Sequence, residues 1–279
     1  MAQTPYSSPK ETLGDASASS NYLVPLVILT TLFFMWGFLT SLNDVLIPYF
    51  KKLFDLSFTQ AVLIQFCFFA AYGLCSIPSG LAVRKIGYQR GAVVGLIIAA
   101  LGCALFVSAA NQSSYALFLG ALFILASGIT LLQVSANPYV ALLGPSASAP
   151  RRLTLTQTFN SLGAWAGPKF GGPIILGSLA TATVITADAV KAPYLYLGVA
   201  LFVLAIFFMV VKLPKVQDET AEGSYAQALS YRHLVLGVVA IFVYVGAEVS
   251  IGSFIINYMA EPHIAGTVSY THLTLPTKA

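Results

Sequence analysis

Of the 279 residues, 14 are Lys or Arg and 10 are Asp or Glu, so 9% carry charge, whereas a soluble domain carries roughly 25%. That composition excludes an ordinary water-soluble globule. The net charge of +4 is small and scattered, so it marks no nucleic-acid surface.

The first 21 residues, Met1 to Asn21, are polar and Ser-rich and carry Glu11 and Asp15, so they read as a tail rather than a cleavable signal. After them come seven apolar stretches long enough to cross a bilayer, each needing about 18 residues or more. They run Tyr22 to Phe50, Thr59 to Val83, Gly91 to Ala110, Tyr115 to Leu143, Leu153 to Ala180, Pro193 to Val211 and Leu234 to Met259. No Asp, Glu, Lys or Arg occurs between Gly91 and Pro150, and the Asn-, Ser-, Gly- and Pro-rich turns at 111–114 and 144–150 divide that region. Because an open sheet edge cannot sit in lipid, all seven are expected to be helices, which makes the chain an all-α polytopic membrane protein. Cys67, Cys75 and Cys103 fall inside apolar runs and read as packing residues.

Lysine and arginine placement sets the expected orientation. Lys10, Arg84, Lys85, Arg90, Arg151, Arg152, Lys212, Lys215 and Arg232 fall on one side, and Lys51, Lys52 and Lys191 on the other. That asymmetry puts the N-terminus in the cytoplasm. The expected domains are a tail over 1–21, a six-helix bundle over 22–212, a charged cytoplasmic linker over 213–233, a seventh helix over 234–261 and an atypical tail over 262–279.

An ionisable group inside a span costs on the order of 3 kcal/mol even on lenient insertion scales, so such groups face a partner or a pathway. Asp44, Lys169 and Glu248 are the three here. Helical spacing puts Trp36, Thr40, Asn43 and Asp44 on one face of the first span. Gln133 and Asn137 share a face of the fourth, Gln157, Asn160 and Ser161 of the fifth, and Tyr244 and Glu248 of the seventh. Four polar stripes suggest a wet cavity for a neutral polyhydroxylated molecule. Asn and Gln both donate and accept, as a sugar hydroxyl does, and an indole such as Trp36 or Trp165 can cover a sugar's apolar face. Singly, such residues serve as glue between helices, or as lipid and interface packing in the case of tryptophan. Gly163, Gly167 and Gly171, and likewise Gly91, Gly95 and Ala99, recur every fourth residue and permit close helix approach. Pro48, Pro78 and Pro138 are candidate bends.

Several blocks, taken in order, resemble the fucose and glucose/galactose permease branch of the major facilitator superfamily. They are Phe34-Met35-Trp36-Gly37-Phe38 with Leu42-Asn43-Asp44, Gly128 to Val134 with Asn137-Pro138-Tyr139, Gln157 with Phe159-Asn160-Ser161-Leu162-Gly163, and Tyr244 to Phe254. The resemblance implies a twelve-helix sugar:proton symporter working by alternating access in a bacterial inner membrane. On that picture Asp44 is the proton-linked acid, with Glu248 as rival carrier. Gln157 and Asn160 bind sugar with Asn43 beside them, and Trp36, Gln133, Asn137 and Tyr244 complete the expected substrate-binding set. Gln133, where fucose permeases carry a second acid, favours glucose or galactose over fucose. The loop expected at Gly80 to Arg90 carries Arg84 where the superfamily normally has Asp.

The expected partners are therefore a hexose, a proton or alternatively sodium, and the lipid bilayer; nucleic acid, cofactor and metal are not expected, nor is enzyme activity. From about Thr267 the sequence turns polar, unlike the start of an eighth span, and reads as a C-terminal truncation. A seven-span receptor matches the helix count but needs its N-terminus on the opposite side.

Overall fold

The structure, a computed structural model, describes residues 22–173, 187–211, 213–214 and 229–259. Among them every regular element is helical: α1 (Leu23–Leu53), α2 (Phe58–Ile86), α3 (Tyr88–Asn111), α4 (Tyr115–Leu142), α5 (Ala149–Ala166), α6 (Lys191–Val210) and α7 (Arg232–Met259). Two compact units divide between Gln217 and Asp218, inside the charged segment; α1 to α6 belong to the first and α7 to the second. The expected tails at 1–21 and 262–279 lie outside the described residues.

Six of these helices are, within the described residues, long and apolar enough to cross a membrane. The exception is α5. It begins at Ala149 rather than Leu153, and Thr154, Thr156, Gln157, Thr158, Asn160 and Ser161 dilute its apolar character. A five-residue π turn, Gly167–Gly171, prolongs it, and its expected continuation past Pro173 lies outside the described residues. The loop expected at Gly80 to Arg90 is also corrected. Helix α2 runs to Ile86 and α3 starts at Tyr88, so Gly87 alone joins them, at φ +85°, where a side chain would be strained.

In the first unit α3 packs against α4 and α6, α1 against α5, and α2 against α4. The glycine stripes explain two of these pairings. A Cβ on Gly163 would strike the Phe34 carbonyl, one on Gly37 the Asn160 carbonyl, and one on Gly167 the Ser41 hydroxyl, so α1 and α5 touch backbone to backbone. Gly95 and Gly128 do the same for α3 and α4. Larger side chains fill the gaps elsewhere: Phe106 stacks on Tyr194 at 4.1 Å, and Phe118 meets Phe50 at 4.5 Å. Cys67 Sγ donates to the Leu119 carbonyl and Cys75 Sγ lies 3.3 Å from Ser127 Oγ, so both thiols serve the α2–α4 contact. Helices α2 and α4 continue through Pro78 and Pro138.

The ends of helices in the first unit are sealed by side chains from elsewhere in the bundle. The last carbonyls of α4 have no partners within the helix. Arg152, counted from sequence among the cytoplasmic charges, is 4% exposed. Its guanidinium donates to the carbonyls of Val140 (3.1 Å), Ala141 (2.7 Å) and Pro145 (2.9 Å), and it also meets Ser148 Oγ. A planar five-donor group is the side chain that can do this while its charge opposes the negative end of the helix dipole. Gln89 similarly donates to the carbonyls of Phe208 and Val211, each at 2.7 Å, closing the end of α6. Tyr139 Oη donates to Pro214 O at 2.8 Å.

Arg152→Ala is therefore expected to cost about 3 kcal/mol, since several buried carbonyls lose charged donors at once. Arg151→Ala next to it, at an exposed position, should stay within about 0.5 kcal/mol of wild type. Thermal unfolding in detergent, followed with a thiol-reactive dye, separates the two. Equal shifts would remove the capping role from Arg152.

The second unit holds α7. Its described residues are exposed nearly throughout, and its apolar residues occupy every face. A helix apolar all round suits lipid or a larger membrane bundle.

Candidate functional site

The polar residues of α1 divide between two neighbours. Phe34, Gly37, Phe38, Ser41 and Leu42 meet α5, whereas Trp36 and Asp44 turn to α2. Asp44 is exposed, and its Oδ1 accepts a hydrogen bond from Gln65 Nε2 at 3.4 Å. Trp36 is half-buried, and its indole lies beside the Tyr72 hydroxyl. That hydroxyl accepts a hydrogen bond from Gln133 Nε2 at 2.8 Å, which brings α4 to the same place.

These contacts form two rungs between antiparallel helices. Trp36 and Asp44 are eight residues apart on α1, while Tyr72 and Gln65 are seven apart on α2, which keeps each pair on one face. Gln65 and Tyr72 were not among the residues expected from sequence. The available signal was Gln65 itself, an amide set between apolar residues in the run from Thr59 to Val83, one heptad before Tyr72.

Among the described residues Asp44 makes no ion pair; its hydrogen bond from Gln65 is the contact that holds it. Lys169 does not neutralise it. The Lys169 ammonium instead lies over the Trp165 ring, 5.1 Å from the centroid. The Oε1 of Gln65 is buried without a hydrogen-bond partner, and so is Oδ1 of Asn43, a residue 1% exposed. A buried acceptor left open is costly, so each is ready to receive a proton donor.

The other expected residues are distributed as follows. Asn137 is half-buried one helical turn beyond Gln133 on α4. Gln157 is exposed on α5. Asn160 is half-buried and gives its Nδ2 to the Phe33 carbonyl of α1 at 3.0 Å, so that donor is spent on joining two helices. Tyr244 and Glu248 share a face of α7 in the second unit, and both are exposed. The first unit thus brings Trp36, Asp44 and Gln133 into contact with the shared α2 partners, and it joins Asn160 to α1. Its polar exposed groups include Asp44, on a helix long and apolar enough to cross a bilayer, where lipid would leave a carboxylate unsolvated, and Gln157 on α5.

The chain matches the Major Facilitator Superfamily over residues 28–275, a stretch that runs into the atypical C-terminal tail. It is 56% identical over 256 residues to a glucose/galactose transporter of Brucella abortus biovar 1, covering 90% of this chain and 62% of that protein. A putative glucose/galactose transporter of Helicobacter pylori strain J99 is 48% identical over 236 residues, covering 82% and 58%. The L-fucose-proton symporter of Escherichia coli K12 is 36% identical over 271 residues, covering 88% and 62%. The chain therefore spans about three fifths of the length of these curated relatives. Among solved structures, the fucose:proton symporter FucP in the outward conformation superposes with a TM-score of 0.76 at 35% identity, covering 91% of this chain and 67% of that one. With its helical fold, its membrane-length helices and these matches, the chain belongs to the major facilitator superfamily.

Proposed function

We propose that the full-length protein carrying this chain is a secondary transporter that imports a hexose, glucose or galactose rather than fucose, together with a proton. The observation that carries this reading is Asp44. It is a carboxylate on a membrane-length helix, held by the amide of Gln65 and lacking a counter-ion among the described residues. Such a group can take a proton from one side of the membrane and release it to the other, because loss of its charge removes the penalty for enclosing it in a low-dielectric interior. Sugar recognition then falls to Gln157, Asn160, Asn43, Gln133, Asn137 and Trp36, with Tyr244 from α7 and Glu248 as a second acid. Gln133 in α4, a neutral amide engaged with Tyr72, supports the preference for glucose or galactose. The relatives named glucose/galactose transporter support the same substrate class.

The lysine and arginine distribution supports an N-terminus in the cytoplasm, and the bacterial sources of the relatives support a bacterial inner membrane. Residues 22–212 then form the first bundle, 213–233 the linker and 234–261 the first helix of the second bundle.

The test is uptake of labelled glucose and galactose by the full-length protein in vesicles, with an imposed inward proton gradient, an inward sodium gradient, or neither. Acceleration by the proton gradient alone is the expected result. Acceleration by sodium alone would reassign the coupling ion, and absence of hexose uptake under every condition would end the sugar-carrier reading.

A further inference from the structure

Helix α5 carries two exposed faces of opposite chemistry. At 3.6 residues per turn, Gln157, Ser161, Thr154, Trp165 and Thr158 fall within an arc of about 100°. Leu162, Leu155 and Phe159 occupy the next arc, and every one of these residues is exposed. The leucine and phenylalanine face suits acyl chains. Trp165 lies on the other face, between Thr154 and Thr158, and is 57% exposed. It also continues a four-residue stripe, Gln157, Ser161, Trp165, Lys169, that passes into the π turn at Gly167–Gly171.

The indole is held from two sides. The Lys169 ammonium sits over it at 5.1 Å, and the Phe170 ring meets it edge-on at 6.4 Å and 88°. A fixed aromatic surface next to hydroxyl and amide groups matches a sugar, which presents C–H bonds on one side and hydroxyls around its rim. Trp165 is two turns from Gln157, about 12 Å along the axis, which exceeds the width of one hexose ring.

We infer that Trp165 is a second sugar-contacting station on α5, where a hexose stacks against the indole, with Ser161 and Lys169 in reach of its hydroxyls, before or after it engages Gln157. This rests on the proposed hexose transport and adds a subsite to it. The lipid alternative makes a different demand, because a tryptophan packed against acyl chains can be replaced by any large apolar side chain.

The deciding pair is therefore Trp165→Tyr against Trp165→Leu in the full-length protein. In vesicle uptake of labelled glucose, Tyr is expected to keep KM within about twofold of wild type, whereas Leu raises it roughly three- to tenfold with little change at saturating sugar. Equilibrium binding of labelled glucose to the solubilised protein repeats the comparison without depending on turnover. Leu performing as well as Tyr in both assays overturns the subsite and leaves hexose transport standing. Wild-type protein that neither binds nor moves glucose or galactose overturns both.

Discussion

Asp44→Asn in the full-length protein is expected to abolish sugar accumulation driven by a proton gradient while sparing exchange of labelled for unlabelled sugar. For a one-proton step, each pH unit of gradient supports roughly tenfold accumulation, and the variant should show none. The local structure makes the substitution unusually clean. Asn is close in shape to Asp and keeps an oxygen for Gln65 Nε2. Its new amide hydrogens find an acceptor already waiting in the buried, unpartnered Oε1 of Gln65. Helices α1 and α2 should therefore remain paired, so a transport defect reports the lost charge rather than a damaged bundle. A variant whose uptake still tracks the gradient would move the coupling role to Glu248 on α7.

Gly163→Ala should destabilise the first unit by about 3 kcal/mol, at the upper end of the cost of overpacking. The added methyl would meet the Phe34 carbonyl oxygen, Phe34 C at 3.0 Å and Phe38 N at 2.9 Å. All three are backbone atoms of α1 and cannot rotate aside, so the helices must separate along a contact that Gly37 and Gly167 also need close. Gly172→Ala supplies the control, because a Cβ there meets nothing within 4 Å. It should be neutral or gain up to about 1 kcal/mol through the less flexible unfolded chain. Thermal unfolding of the two purified variants, identical in composition, reads the difference. Similar midpoints would mean that α1 and α5 pack more loosely than their backbones indicate.

Much of this architecture was legible because the bilayer imposes a one-dimensional rule. Apolar length locates helices, and the four-residue glycine spacing of Gly163, Gly167 and Gly171 announces a close helix approach, which the structure makes against α1. What apolar length leaves open is how each polar group is satisfied within the protein. The described part of α5 is less apolar than the other helices because one of its faces packs on α1 and another is hydrophilic. Arg152 counts toward the cytoplasmic charge, and the open carbonyls of α4 hold its guanidinium inward. Asn160 read as a ligand group, and part of it bonds to α1. Gln65 and Tyr72 escaped notice because pairing between helices depends on relative rotation, which no single stretch of sequence encodes. Asp44 stood out early because a carboxylate in an apolar run has few structural explanations.

The single glycine between α2 and α3 has a mechanical corollary. With no slack in the connection, neither helix can slide or turn without carrying the other, so a displacement received by α2 beside Asp44 reaches α3, and through it α6, as one stiff lever. Lengthening that joint by a few flexible residues would act like a clutch, leaving each helix folded while disconnecting the motion of one end of the bundle from the other.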